Sequence, residues 1–149
     1  MAIVEKTALV PFSAQQMYDL VKDIDCYQNF LPWCKKSTVL SATDEKVCGE
    51  LLISRLGINQ SFSSCNCLIP YEKIEIELVK GPFKKLTGYW YFQALREDAC
   101  KVGLYLEFEF SGGLIDKAFG RVFNEIANTL VDAFCKRAKE VYRNAKNSD

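Results

Sequence analysis

LIDKAFGRVFNEIANTLVDAFCKRAKEVY, residues 114–142, decides the fold. Read at 3.6 residues per turn, one face collects Ile115, Phe119, Val122, Phe123, Ile126, Leu130, Phe134 and Val141. The opposite face collects Asp116, Lys117, Arg121, Glu125, Asp132, Lys136, Lys139 and Glu140. The pattern predicts a strongly amphipathic helix, about 43 Å long at 1.5 Å per residue. Gly112 and Gly113 supply the turn into it. An apolar stripe of that length needs a broad partner surface.

Almost everything upstream reads as that surface. Residues 3–10, IVEKTALV, form a first strand that ends at Pro11. Ser13 with Gln16 three residues later is a capping-box pattern; it opens a helix over Ala14 to Lys22 with Met17, Leu20 and Val21 on one side. Asp23 to Phe30 predicts a second short helix, capped by Asp23 or Asp25. It runs into Phe30-Leu31-Pro32-Trp33-Cys34, where proline ends any helical course. Strands follow at Ser37–Ala42, Val47–Leu56, Asn59–Ile69, Lys73–Lys80, Leu86–Leu95 and Cys100–Phe110, each bounded by turn residues.

In the last hairpin both inward sets are even-numbered: Leu86, Gly88, Trp90, Phe92 and Ala94, then Val102, Leu104, Leu106, Phe108 and Phe110. Even must therefore pair with even. A three-residue loop sets Phe92 opposite Leu104 and Trp90 opposite Leu106, with Tyr89, Tyr91, Tyr105, Glu107 and Glu109 outside. The element order gives an α+β fold. A seven-stranded antiparallel sheet curls around the C-terminal helix, with two short helices after the first strand.

The chain has 149 residues, enough for one domain with a substantial core over about residues 2–143. The polar tail Asn144–Asp149 is expected to lie outside that core. Nineteen Lys and Arg balance 19 Asp and Glu, which argues against a general attraction to nucleic acid or anionic membrane. Any such contact needs a local basic patch. There is no histidine, which removes Ser-His-Asp and Cys-His nucleophilic sites and His-ligated metals. An enzyme would have to rely on inward polar groups, and Arg55, Glu50 and Asn66 are the strand candidates, with their facing ambiguous.

The seven cysteines are irregularly spaced, at 26, 34, 48, 65, 67, 100 and 135. No secretory signal precedes them and no apolar run is long enough to span a membrane. The expectation is a reduced, cytoplasmic setting with all seven thiols free. Cys65 and Cys67, two apart in a strand, share one face. No four-ligand zinc spacing is present, so no metal is expected.

Tyr27, Phe30, Leu31 and Trp33 crowd one short connector. They either plug one end of the core or form a hydrophobic lip over a pocket. That connector, Tyr27-Gln28-Asn29-Phe30-Leu31-Pro32-Trp33-Cys34, also opens a series of segments that spans nearly the whole chain. The others are Gly81-Pro82-Phe83-Lys84-Lys85-Leu86 with Gly88 and Trp90, Phe108-Glu109-Phe110, Phe119-Gly120-Arg121-Val122-Phe123, Ala133-Phe134 and Arg137-Ala138-Lys139-Glu140-Val141-Tyr142.

Together these segments resemble the START-like, helix-grip superfamily of lipid carriers and polyketide cyclases. Within it they are most similar to the ribosome-association toxins and the mitochondrial coenzyme-Q-binding proteins. Gln28 departs from the pattern, which usually has proline there, and is expected to loosen the connector. The resemblance implies a binding protein rather than an enzyme. Its main implication is carriage of ubiquinone or a similar isoprenoid lipid in support of respiration, with no other cofactor and with transient membrane contact. The alternative is a toxin that binds the large ribosomal subunit and blocks subunit association, with an antitoxin protein as a further partner.

A concave sheet facing a helix suggests where each partner would sit. The apolar candidates are Phe30, Leu31, Trp33, Phe62, Phe83, Trp90, Phe92, Leu104, Phe108, Phe119, Val122, Phe123 and Ile126, each of which is otherwise plain core. A pocket of about 300–1,000 Å³ is expected among them, with each buried methylene contributing about 0.8 kcal/mol. The candidate ribosome contacts are Lys35, Lys36, Lys84, Lys85, Lys136, Arg137 and Lys139, with Arg143 beyond them. Solvated faces account for these equally well, since the dipole favours cations near a helix C-terminus. The aromatic lip and the basic helix end are expected to be separable sites.

Overall fold

The computed structural model describes residues 2–143, with the side chains of 114–116 and 143 left aside. Ile115 and Asp116 of the long helix, Arg143 of the basic group and the 144–149 tail therefore lie outside the described side chains or residues. The elements run β1 (Ala2–Val10), α1 (Ala14–Lys22), a 3-10 helix (Ile24–Asn29), then β2 (Cys34–Ala42), β3 (Lys46–Arg55) and β4 (Ile58–Ile69). After these come β5 (Lys73–Lys80), β6 (Phe83–Arg96), β7 (Ala99–Phe110) and α2 (Leu114–Ala138). The seven strands form one antiparallel sheet in the order β1-β7-β6-β5-β4-β3-β2.

Alternation decides which face of each strand turns inward. Ile74 of β5, Leu86, Trp90 and Phe92 of β6, and Val102, Leu104, Leu106 and Phe108 of β7 are all buried on the concave side. β6 and β7 approach closely at Gly88. A Cβ on Gly88 would lie 2.0 Å from the Tyr105 carbonyl oxygen, so only glycine allows that approach. Across the concave side lies α2, whose Phe119, Val122, Phe123, Ile126 and Phe134 are buried. Gly112 and Gly113, with φ of 97° and 106°, turn the chain from β7 into it.

The helix is shorter than its sequence pattern. Its 25 residues extend about 37 Å, and a π-helical turn, Lys139–Arg143, completes the segment. The wider turn rotates Val141 to the surface instead of the apolar face, and Tyr142 packs inward in its place. The Tyr142 hydroxyl donates to the Gln16 carbonyl at 2.7 Å, which fastens the end of the chain to α1. That helix begins at the expected capping box: Gln16 N donates to Ser13 Oγ at 3.0 Å and Ser13 N donates to Gln16 Oε1 at 2.9 Å.

Four expectations, on register, strand starts, the second short helix and the connector, are corrected. Trp90 faces Leu104 and Phe92 faces Val102, two residues from the expected register. The turn has two residues, Glu97-Asp98, and the register shifts between Ala94 and Arg96, which leaves Leu95 without a partner. β2 and β6 start at Cys34 and Phe83, earlier than alternation indicates, because each has an irregularity in its first three residues. The second short helix is 3-10, and Asp23 caps it with no side-chain hydrogen bond. Gln28 tightens the connector instead of loosening it. Its backbone N–H, which a proline lacks, donates to Ser37 Oγ at 3.2 Å.

The expectation of seven free thiols fails at one pair. Cys48 and Cys65 sit directly opposite in the β3–β4 register and form a disulfide. Direct cross-strand neighbours on one face bring their Cβ atoms within bonding range, and 17 residues of sequence hid that proximity. Cys26, Cys34, Cys67, Cys100 and Cys135 are free.

Candidate functional site

Two concavities meet at the connector between the 3-10 helix and β2. The first is interior, between the concave sheet and α2, with a volume of about 80 Å³. Its walls come from the connector (Ile24, Tyr27, Trp33), from β3 and β4 (Gly49, Leu51, Ile53, Phe62, Ser64, Asn66), from β5 to β7 (Ile76, Leu86, Trp90, Leu106) and from α2 (Phe123, Ile126, Leu130, Phe134). The expected volume of several hundred cubic ångströms is not there. Edge-to-face aromatic packing fills it: Phe134 meets Trp90 at 5.2 Å, Tyr27 at 5.3 Å and Phe30 at 5.3 Å between ring centroids. Beyond the cavity, Phe83 and Phe108 close on Phe123 at 4.8 and 4.9 Å, and that end is solid.

One part of the interior wall is polar. Ser64 and Asn66 alternate inward on β4, and Asn66 is 7% exposed with its Oδ1 lacking any hydrogen-bond partner. The Tyr27 hydroxyl, by contrast, donates to the Val21 carbonyl. Burial raises its pKa far above the ordinary tyrosine value, with the Asp23 charge adding to it, so it stays a donor. Burial also pushes the Cys34 thiol, next to Trp33, up to about 11.

The second concavity is a surface groove of about 380 Å³ between the connector and the last turns of α2. Phe30, Pro32 and Trp33 form one side; Thr129, Asp132, Ala133, Lys136, Arg137 and Glu140 form the other, with Arg55 at the base. The Arg137 guanidinium lies over the Phe30 ring at 5.1 Å and pairs with Glu140 at 3.3 Å. Arg55 reaches from the end of β3 to Glu125 at 2.6 Å. Among the described residues, Lys136 and Lys139 make no ion pair.

These positions sort the sequence candidates. Of the thirteen apolar candidates, Trp33, Phe62, Trp90, Phe123 and Ile126 line the cavity. Leu31, Phe83, Leu104, Phe108, Phe119 and Val122 are buried in the core away from it, and Phe92 packs edge-on against Tyr18 of α1. Phe30 is half-buried in the groove. The connector therefore plugs the core through Tyr27, Leu31 and Trp33, and of its apolar side chains Phe30 and Pro32 reach the groove.

The basic candidates divide. Lys136 and Arg137 line the groove, and the exposed Lys35 and Lys36 lie just beyond Trp33 at the start of β2. Lys84 and Lys85 lie at the other end of α2, beside Phe83, and pair with Glu109 at 4.0 Å and Glu107 at 3.0 Å. The lip and the basic helix end are thus one groove, not two separable sites. Of the inward polar candidates, Asn66 and Arg55 face in and Glu50 faces out. Phe134 of the helix face, which is not among the apolar site candidates, lines the cavity and packs against both Trp90 and Phe30.

A seven-stranded sheet gripping one long helix above a small, mostly apolar interior defines a helix-grip protein of the START-like class. The chain belongs to the polyketide cyclase / dehydrase and lipid transport family, whose model matches residues 10–135. It is 47% identical over 139 residues to the ribosome association toxin RatA of Escherichia coli K12, covering 93% of this chain and 88% of that one. It is 30% identical over 141 residues to the mitochondrial coenzyme Q-binding protein COQ10 homolog B of Xenopus laevis, covering 92% of this chain and 58% of that one. Among solved structures, the Zhui aromatase/cyclase from Streptomyces sp. R1128 superposes with a TM-score of 0.85 at 17% identity, over 97% of each chain. At that identity the likeness is one of fold.

Proposed function

We propose that this chain is a binding protein that associates with the large ribosomal subunit and blocks its joining to the small one, acting in the cytoplasm. The near full-length similarity to a ribosome association toxin carries the reading. The groove supports it: Lys136 and Arg137 in its wall, with Lys35, Lys36 and Lys139 exposed outside it, supply cations for phosphate, and Phe30 with the Arg137 guanidinium over it supplies a surface on which a base can stack. Asp132, Glu140 and Glu125 offset part of that charge, which favours a defined docking geometry over general attraction to RNA. A neutralising antitoxin would have to cover the same groove.

Co-sedimentation with isolated large and small subunits, at several salt concentrations, tests this. The chain should pellet with the large subunit. Combined Lys136→Glu, Arg137→Glu and Lys139→Glu changes should flatten the log–log salt dependence by roughly 2–3. Equal binding to both subunits, or an unchanged slope, would defeat the proposal.

A second reading keeps the interior as a site for a hydrophobic molecule of the ubiquinone kind. The cavity and the coenzyme Q-binding relative favour it. A volume of about 80 Å³ does not hold an isoprenoid quinone, so this reading requires the aromatic wall to open. The ribosome reading needs no such movement.

A further inference from the structure

We infer that the interior cavity is a site for a compact apolar molecule carrying one hydroxyl group, which the Asn66 carboxamide reads. The inference rests on the second reading above, that the interior holds a small molecule, and narrows the class of that molecule.

Asn66 occupies an inward position of β4, directly between Val47 on β3 and Ile76 on β5. Both neighbours are apolar, and leucine would pack there without any desolvation penalty. Instead the row carries an amide that is 93% buried, with its Oδ1 unpaired. A buried carbonyl oxygen without a donor is costly, so its natural complement is a donor supplied from inside the cavity. Ser64 lies two residues earlier on the same face. Opposite Ser64 stands Gly49, where a Cβ would crowd Ile24 at 3.0 Å. The polar end of the cavity therefore consists of Ser64 and Asn66, and the far end is closed by Trp90 and Phe134.

A carboxamide offers a donor and an acceptor side by side. A hydroxyl satisfies both, whereas a ketone or quinone carbonyl accepts only and leaves Oδ1 unpaired. The volume is about half of the roughly 150 Å³ that holds benzene in an engineered cavity, which limits the apolar part to about two to four carbons. Short-chain alcohols fit this description. Quinones with isoprenoid tails do not.

Trp33 and Trp90 are the only two tryptophans of the chain, and both line the cavity. Their indole N–H signals in a ¹⁵N–¹H NMR titration of the full chain therefore report occupancy. 2-Propanol and acetone are matched in size and differ in the donor. 2-Propanol should bind about fivefold more tightly, the value of one hydrogen bond, and Asn66→Leu should bring the ratio to about one. Equal binding of the two by the unmodified chain would overturn the inference while leaving an occupied interior, and would mean that Asn66 holds only a water. If neither compound moves either indole signal, the small-molecule reading falls together with the inference.

Discussion

The cavity and the groove share Trp33 as a wall, yet they differ in almost everything else. On the inner side Trp33 shares with Trp90, Phe134 and Ile126 the lining of a mostly apolar space of about 80 Å³ whose polar residues are Ser64 and Asn66. On the outer side it faces Arg55, Lys136 and Arg137 in an open groove of about 380 Å³. Strand alternation against an amphipathic helix drives the inside toward close packing, which leaves less room than one six-membered ring needs. The outside is shaped by a proline-stopped connector lying against the basic end of α2. A macromolecular partner suits the outer face, and a small molecule suits the inner one.

The largest expected effect comes from removing the shared wall. Trp33→Ala should cost about 3–5 kcal/mol in urea unfolding, and at permissive temperature it should weaken both ribosome association and small-molecule binding. A folded variant that loses only one activity would show that the two spaces do not depend on one wall.

Lys136→Glu sharpens the contrast from the outer side. It should reduce the salt slope of ribosome association by about 1, change stability by less than about 0.5 kcal/mol, and leave the indole titration unaltered. An equal loss of cavity binding would mean that the groove controls the interior.

The last effect concerns the buried thiols. Burial raises the Cys34 and Cys100 thiols from the ordinary 9.0 to about 11. The folded chain then holds these protons more tightly than the unfolded one, so their contribution to stability is complete below pH 9 and is lost as the pH rises through 11. Chemical denaturation between pH 8 and pH 11 should show that decline, and Cys34→Ala should lessen it. A flat profile would mean that water reaches both thiols.

Much of the fold was legible in the sequence because its signals are local. The 3.6-residue period of Phe119, Val122, Phe123, Ile126 and Phe134, the Ser13–Gln16 capping box and the even-numbered inward rows of β6 and β7 each follow from a few neighbouring residues. The site was less legible because it depends on long-range neighbours. Arg137 over Phe30 joins residues 107 apart in sequence, and neither shows a periodicity that points to the other. Cys48 and Cys65 became neighbours through strand register alone. The unpaired amide of Asn66 could be suspected as a polar residue in an inward row, but its facing required the β3–β4 register.

The claim that the groove is the ribosome-contact surface is tested most directly by hydrogen–deuterium exchange of the chain with and without isolated large subunit. Added protection should appear at residues 30–36 and 129–142, which bracket the groove, and the convex outer face around Tyr89, Tyr91 and Tyr105 should exchange as in the free chain. Protection confined to that tyrosine face, with the groove segments unchanged, would contradict the account.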